Sequence, residues 1–85
     1  MTTKETVTAE PITKTPGVLG GAACIGARRI AVWMLVRARE LGLSEHEILA
    51  RYEPPLTAED LVNAWAYYAA HRDEIDAAIR LNEDD

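Results

Sequence analysis

The sequence has a single cysteine, no long apolar run and no apolar stretch at its start. Cys24 alone cannot close an internal disulfide, so the cysteine content gives no sign of an oxidising compartment. Residues 1–10 are too polar for a secretory signal. The seven apolar residues 30–36 fall far short of the about 20 that cross a bilayer. We therefore expect a cytoplasmic protein with no membrane contact.

Residues that carry enzymatic chemistry are also scarce. Only two histidines occur, and His71 with Glu74 supplies two potential ligands, which are too few for a metal site. Cys24 lies in an apolar stretch without a neighbouring histidine, which favours a buried structural thiol. No Gly-rich phosphate loop, nucleophile elbow or paired-carboxylate motif is present. The sequence therefore predicts no enzymatic activity, no metal and no cofactor.

The length and composition predict one small domain. Of the 85 residues, 48% are hydrophobic and 27% are charged, which is typical of a globular chain. Because a chain of this size buries only about 60–65% of its unfolded surface, we expect it to need a partner, either a second copy or another protein.

Charge is distributed unevenly around a net charge of −5. Residues 11–51 hold six basic and three acidic side chains, whereas residues 52–85 hold two basic and nine acidic ones. A basic segment can approach polyanions, whereas an acidic segment repels them and attracts basic proteins. The alternative is two solvated faces of opposite sign.

The first quarter of the chain predicts a flexible leader and a β-ribbon. Residues 1–10 have little to bury and predict the leader. Pro16-Gly17 and Gly20-Gly21 are turn signals between two short segments, residues 12–15 and 22–25, that can each form one strand.

Helical signals fill the rest of the chain. Residues 31–41 predict a first helix, and Gly42 follows it where a left-handed cap residue belongs. Ser44 and Glu47 form a capping box that opens a short second helix, which Pro54-Pro55 stops.

A third, longer helix is predicted after the prolines. Thr57 is its N-cap, and apolar positions recur every three or four residues from Leu61 to Ile79, which predicts one continuous helix to about Arg80. The predicted fold class is mostly α, with a short N-terminal β-ribbon followed by a three-helix, helix-turn-helix-like body and a long C-terminal helix. Other three-helix bundles have the same outline.

An ordered set of short motifs resembles one known family. The motifs are Pro16-Gly-Val-Leu-Gly-Gly21, Cys24-Ile25, Arg29-Ile-Ala-Val32, Leu41-Gly-Leu-Ser-Glu45, Glu47-Ile-Leu49, Tyr52, Pro55-Leu-Thr57 and Glu59-Asp-Leu61. Together they resemble the small bacterial family called domain of unknown function 433, which includes VapB-type antitoxins. The resemblance implies a dimeric, helix-turn-helix-like protein without enzymatic activity, paired with a PIN-type ribonuclease toxin.

The basic segment holds the candidate DNA-binding residues. Guanidinium groups suit phosphate oxygens because their planar fork donates hydrogen bonds in pairs. The first turn of the long helix carries only acidic charge, so we expect DNA contact through the ribbon and first helix instead. Alternatively, Arg29 has a structural partner and Arg28 is solvated. The candidates are Lys14, Arg28, Arg29, Arg37 and Arg39.

The acidic C-terminal segment holds the candidate toxin-binding residues. An amphipathic helix with an acidic back suits a groove on a basic partner, and the resemblance implies that an arginine enters the carboxylate cluster of the nuclease. Arg80 is the first choice for that role and Arg72 the second. Alternatively, Ile75 and Ile79 complete the core. The candidates are Arg72, Ile75, Ile79, Arg80 and Leu81.

Three segments and one function follow from these observations. Residues 1–10 are the leader, 11–71 the DNA-binding-like domain and 72–85 the partner-binding end. We expect a homodimeric antitoxin that binds operator DNA and neutralises a PIN-type ribonuclease by occupying its active-site groove. The alternatives are a protein-interaction module that never meets DNA and a stand-alone transcription regulator without a toxin.

Overall fold

A computed structural model describes residues 12–26 and 28–83. The predicted leader, residues 1–10, lies outside the described residues. The described residues form two strands and four α-helices, so the expected short N-terminal β-ribbon followed by a mainly helical body is confirmed. In chain order the elements are β1 (Ile12–Lys14), β2 (Ala23–Ile25), α1 (Val32–Glu40), α2 (Glu45–Ala50), α3 (Ala58–Ala70) and α4 (Arg72–Glu83).

The two strands pair in antiparallel register, with Ile12 opposite Ile25 and Lys14 opposite Ala23. A loop of residues 15–22, called the ribbon loop below, connects them and turns through Gly20 and Gly21. Both glycines have positive φ, at 68° and 84°, a conformation that side chains with a Cβ rarely adopt. The glycine pair predicted as a turn therefore closes the ribbon.

Both predicted helix caps are confirmed. The Ser44 hydroxyl accepts from the Glu47 amide at 3.1 Å, and Glu47 Oε1 accepts from the Ser44 amide at 2.7 Å. Thr57 and Asp60 make the same reciprocal pair at the start of α3, at 3.1 and 3.0 Å. Each box satisfies two amides that the first helical turn leaves without a partner. Gly42, at φ 98°, ends α1 as predicted.

Helix α1 lies at the centre of the fold and packs against α2, α3, α4 and β2. Every element except β1 contributes to the hydrophobic cluster that the buried residues of the described ranges form. Its members are Ala23, Ile25, Ile30, Val32, Leu35, Val36, Ala38, Ile48, Leu56, Leu61, Ala64, Ile75 and Ile79.

The structure differs from the sequence prediction at His71, where the expected continuous helix is interrupted. His71 has φ −137° and ψ 46°, so α3 ends there and α4 starts at the next residue. An unbroken helix over residues 58–80 would be about 34 Å long, whereas the nine residues of α1 span about 13 Å. The break allows both α3 and α4 to pack against the short α1.

Candidate protein-interaction surface

Two clefts lie side by side along α1 and share the half-buried side chains of Trp33 and Met34. The first has a volume of about 490 Å³ and lies between the ribbon loop, α1 and the end of α4. The second, of about 250 Å³, lies between α1 and the segment that follows α2. We call the combined surface the α1 groove. Its apolar lining consists of Leu19, Ala22, Trp33, Met34, Ala38, Leu41, Tyr52, Ala78 and Leu81.

Two leucines make this groove unusual for a folded domain. Leu41 is 62% exposed and Leu81 is 74% exposed, one at each end of the groove. Single exposed apolar residues need no explanation. Here they continue a row of apolar side chains, and contiguous exposed apolar surface marks interaction sites. The groove is therefore the candidate interaction surface of this chain.

One end of the groove carries a polar network that joins β1, α3 and α4. Lys14 Nζ lies 3.1 Å from Glu74 Oε2, and the Tyr67 hydroxyl donates to Glu74 Oε1 at 2.8 Å. The ring of Tyr67 stacks on that of His71, with centroids 4.1 Å apart, and His71 Nδ1 lies 3.8 Å from Glu74 Oε1. Glu74 of α4 is thus held by Lys14 of β1, Tyr67 of α3 and His71 of the α3–α4 junction.

The network shifts the acidity of its members. Partial burial acts to raise the pKa of Glu74, but the hydrogen bonds from Tyr67 and Lys14 and the nearby positive charges outweigh it and lower that pKa. The hydrogen bond and charge of Glu74 raise the pKa of Lys14. Burial, with Glu74 adding to it, raises the pKa of Tyr67. At neutral pH the Lys14–Glu74 pair is therefore fully ionised.

Two of the five predicted DNA-binding residues are paired with the acidic C-terminal segment. Lys14 contacts Glu74, as described above. Arg37 contacts Glu83 on α4 and also Glu40, at 3.7 Å, on its own helix. The basic and acidic segments that the sequence separates are therefore in direct contact in the fold.

Arg28, Arg29 and Arg39 lie elsewhere. The Arg28 guanidinium donates to the carbonyl oxygens of Pro54 and Pro55, the second at 3.4 Å, so it joins the end of the ribbon to the α2–α3 connection. Arg29 is exposed and makes no hydrogen bond or ion pair within residues 12–26 and 28–83. The Arg39 guanidinium lies over the Trp65 ring, 4.0 Å from its centroid.

The predicted toxin-binding residues divide into buried and exposed ones. Ile75 and Ile79 are only 2% and 7% exposed and belong to the core, which is the alternative that the sequence left open. They hold α4 on the body and present no surface to a partner. Arg80 and Leu81 are exposed, and so is Arg72, whose guanidinium lies 5.3 Å from the Tyr68 ring centroid.

Sequence reasoning missed Trp33, Met34, Leu41 and Arg51 as surface residues. A signal was present, because Trp33, Arg37 and Leu41 recur every four residues and so share a second face of α1. The face that packs on the core is formed by Val32, Leu35 and Val36 instead. Met34 lies three residues before Arg37 and so joins the same face. Arg51 reaches it only through the packing of α2 and its following turn against α1.

No group of three potential ligands among histidine, cysteine, aspartate and glutamate comes together within the described part of the chain. Among the helices of the same residues, none is both long and apolar enough to cross a membrane.

Comparisons with known proteins agree with the fold. A family model described as "Protein of unknown function (DUF433)" matches residues 12–68. The chain is also similar to the crystal structure of a DUF433 member protein from Anabaena variabilis ATCC 29413, with 49% sequence identity and a TM-score of 0.79. That match covers 84% of this chain and 69% of the other. None of the curated proteins compared with the chain matches it. On the family match and this close relative, the chain belongs to the DUF433 family.

Proposed function

We propose that this protein is the antitoxin of a type II toxin–antitoxin pair and that it binds a PIN-type ribonuclease. The observation that carries the proposal is the α1 groove, with Leu41 and Leu81 exposed at its ends. A small domain whose described residues form such an exposed apolar surface is suited to a protein partner. Neutralisation is steric, because the antitoxin covers the active-site groove of the nuclease.

In this proposal α4 stays docked on the body while it contacts the toxin. Ile75 and Ile79 fix the helix in the core, so the partner meets its exposed face. Arg80 and Leu81 lie on that face. A guanidinium can pair with the clustered carboxylates of a nuclease site. Arg80 is the first candidate for this contact and Arg72 the second.

Co-expression with the protein encoded by the neighbouring gene tests this function. The neighbour alone should arrest growth, and the wild-type chain should restore growth and copurify with it. The proposal is contradicted if the neighbour is harmless or if the two proteins do not form a complex when purified separately and mixed.

Operator binding is the second function, and one contact favours it. Arg28 is held by Pro54 and Pro55, whereas its neighbour Arg29 is exposed. An exposed guanidinium group suits the phosphate oxygens of DNA. A homodimer would present Arg29 twice across its two-fold axis, as a palindromic operator requires. Arg39 extends the same role along α1.

A further inference from the structure

The α1 groove is long enough for a short partner helix. Trp33 and Met34 lie at its centre, and Leu41 and Leu81 mark its two ends. It follows α1, whose nine residues span about 13 Å, so a partner helix of two to three turns would fill it. Aromatic side chains in such a position are the usual anchors of a protein interface.

The charges of the groove are not symmetric. At the first cleft the one carboxylate, Glu74, is already paired with Lys14. The second cleft is lined by two guanidinium groups, Arg37 and Arg51, and by no carboxylate. Arg37 is paired with Glu83 and Glu40, whereas Arg51 makes no ion pair with any described residue. Among the described residues, the cation of the groove that is open to a negative partner is therefore Arg51, at the α2 end.

Two further donors in the groove lack acceptors among the residues that the structure describes. For comparison, the indole N–H of Trp65, which lies outside the groove, has an acceptor in Glu45 Oε2 at 3.0 Å. The indole N–H of Trp33 and the hydroxyl of Tyr52 donate to no residue within the described ranges. Both side chains are half-buried and line the groove. A partner that covers them must supply acceptors, because a buried donor without one costs stability.

We propose that the α1 groove binds an amphipathic helix of the partner protein, with its apolar face on Trp33, Met34 and Leu81 and a carboxylate beside Arg51. The proposal rests on the proposed function and names the chemistry of the partner segment. A second copy of this chain is the alternative occupant, and light scattering distinguishes it.

Two synthetic peptides test the groove directly. Each has about 16 residues, long enough for partial helicity in water, and leucines at the i, i+4, i+7 spacing of a groove-binding helix. One carries glutamates at its polar positions and the other carries lysines. Fluorescence polarisation should show that the acidic peptide binds about two- to fivefold more tightly to the wild-type chain, as expected for an exposed ion pair.

Matched variants of exposed residues locate the binding site. Leu41→Glu and Leu81→Glu should weaken the acidic peptide about tenfold or more, because they place a charge on the apolar contact. Val62→Glu is the control, since Val62 is 60% exposed on α3 and lines neither cleft. Arg51→Glu should remove the preference for the acidic peptide, whereas Arg29→Glu makes the same charge change elsewhere and should preserve it. Circular dichroism confirms that each variant is folded.

The outcomes separate the groove from the proposed function. The groove proposal is overturned if neither peptide binds, if Leu81→Glu binds like Val62→Glu, or if light scattering shows a dimer that Leu81→Glu converts to a monomer. If the neighbouring-gene protein binds wild type and Leu81→Glu equally, the proposed function stands and the groove assignment fails. If that protein does not bind but the acidic peptide does, the toxin assignment fails and the groove assignment stands.

Discussion

The ammonium group of Lys14 lies 3.1 Å from Glu74 Oε2, joining β1 to α4. The sequence places these residues in segments of opposite charge and, on that basis, in segments with different partners. In the fold they neutralise each other, and Arg37 and Glu83 repeat the arrangement. Part of the charge that the sequence separates therefore forms ion pairs that hold α4 to the body. The surface that remains for partners is smaller and more apolar than the charge distribution of the sequence predicts.

The Glu74 network predicts an acid-dependent loss of stability. The pKa of Glu74 is lowered in the folded chain, so its contribution is complete above the unfolded value of 4.5 and is lost as the pH falls through the lower folded value. Glu74→Gln should flatten the dependence of unfolding free energy on pH in this acidic window. Urea titrations at several pH values measure it.

Two variants check the origin of that effect. Lys14→Met should raise the pKa of Glu74 toward 4.5. NMR of the side-chain carboxyl carbon of Glu74 measures this pKa. Glu59→Gln removes a carboxylate of α3 outside the network and should leave the acidic slope unchanged. An identical slope in Glu74→Gln and wild type would show that the network does not stabilise the fold.

The buried face of α4 predicts a large effect of core truncation. Ile75→Ala and Ile79→Ala should each lower the free energy of unfolding by about 2–5 kcal/mol, because they leave cavities beside α1. Leu81→Ala on the same helix should change it by less than about 0.5 kcal/mol. Equal, small losses in all three variants would mean that α4 is not docked. Removing residues 73–85 is therefore a test of folding rather than of partner binding.

The two capping boxes predict moderate, unequal effects. Thr57→Ala should cost about 1–2 kcal/mol and Ser44→Ala about 0.5–1 kcal/mol, within the range of such caps. The larger value belongs to Thr57 because its partner Asp60 is buried and α3 packs along α1, whereas the Ser44 box is exposed. Thermal unfolding of both alanine variants, with Thr57→Ser as a conservative control, measures the two losses of stability. A larger loss for Ser44 would reverse this ranking.

The proposal of operator binding is tested by replacing Arg29 and not by replacing Arg28. Replacing Arg28 removes the contacts to Pro54 and Pro55 and so changes the local fold. Arg29→Glu changes only an exposed guanidinium, and should lower retention of the DNA upstream of the gene about tenfold or more in a low-salt gel. Arg72→Glu, the same charge change on α4, is the control. Equal retention of both variants would remove Arg29 from the DNA surface.

Local features of the fold could be predicted because each depends on a few neighbouring residues. Ser44 with Glu47 and Thr57 with Asp60 fix helix starts through side-chain contacts three residues apart. Gly42 marks the end of α1 because the cap needs a positive φ. The break at His71 has no such signal. Neither glycine nor proline lies near it, and it results from the packing of α3 and α4 against one short helix.

The candidate surface could be predicted only in part. Leu81 follows from the amphipathic pattern, but the same pattern assigns Ile75 and Ile79 to a partner, and only the fold shows that α1 covers them. Arg51 is distant in sequence from Trp33, and the packing of α2 brings both to one groove. Ion pairs such as Lys14–Glu74 could not be predicted from the sequence either, because they join residues sixty positions apart.

Calorimetric titration of the neighbouring-gene protein into this chain tests the central claim most directly. Wild type and Val62→Glu should bind with the same affinity, and Leu81→Glu should bind at least about tenfold more weakly, because only Leu81 lies in the α1 groove. Absence of heat with the wild-type chain, or equal affinities for all three proteins, would contradict an antitoxin that acts through this surface.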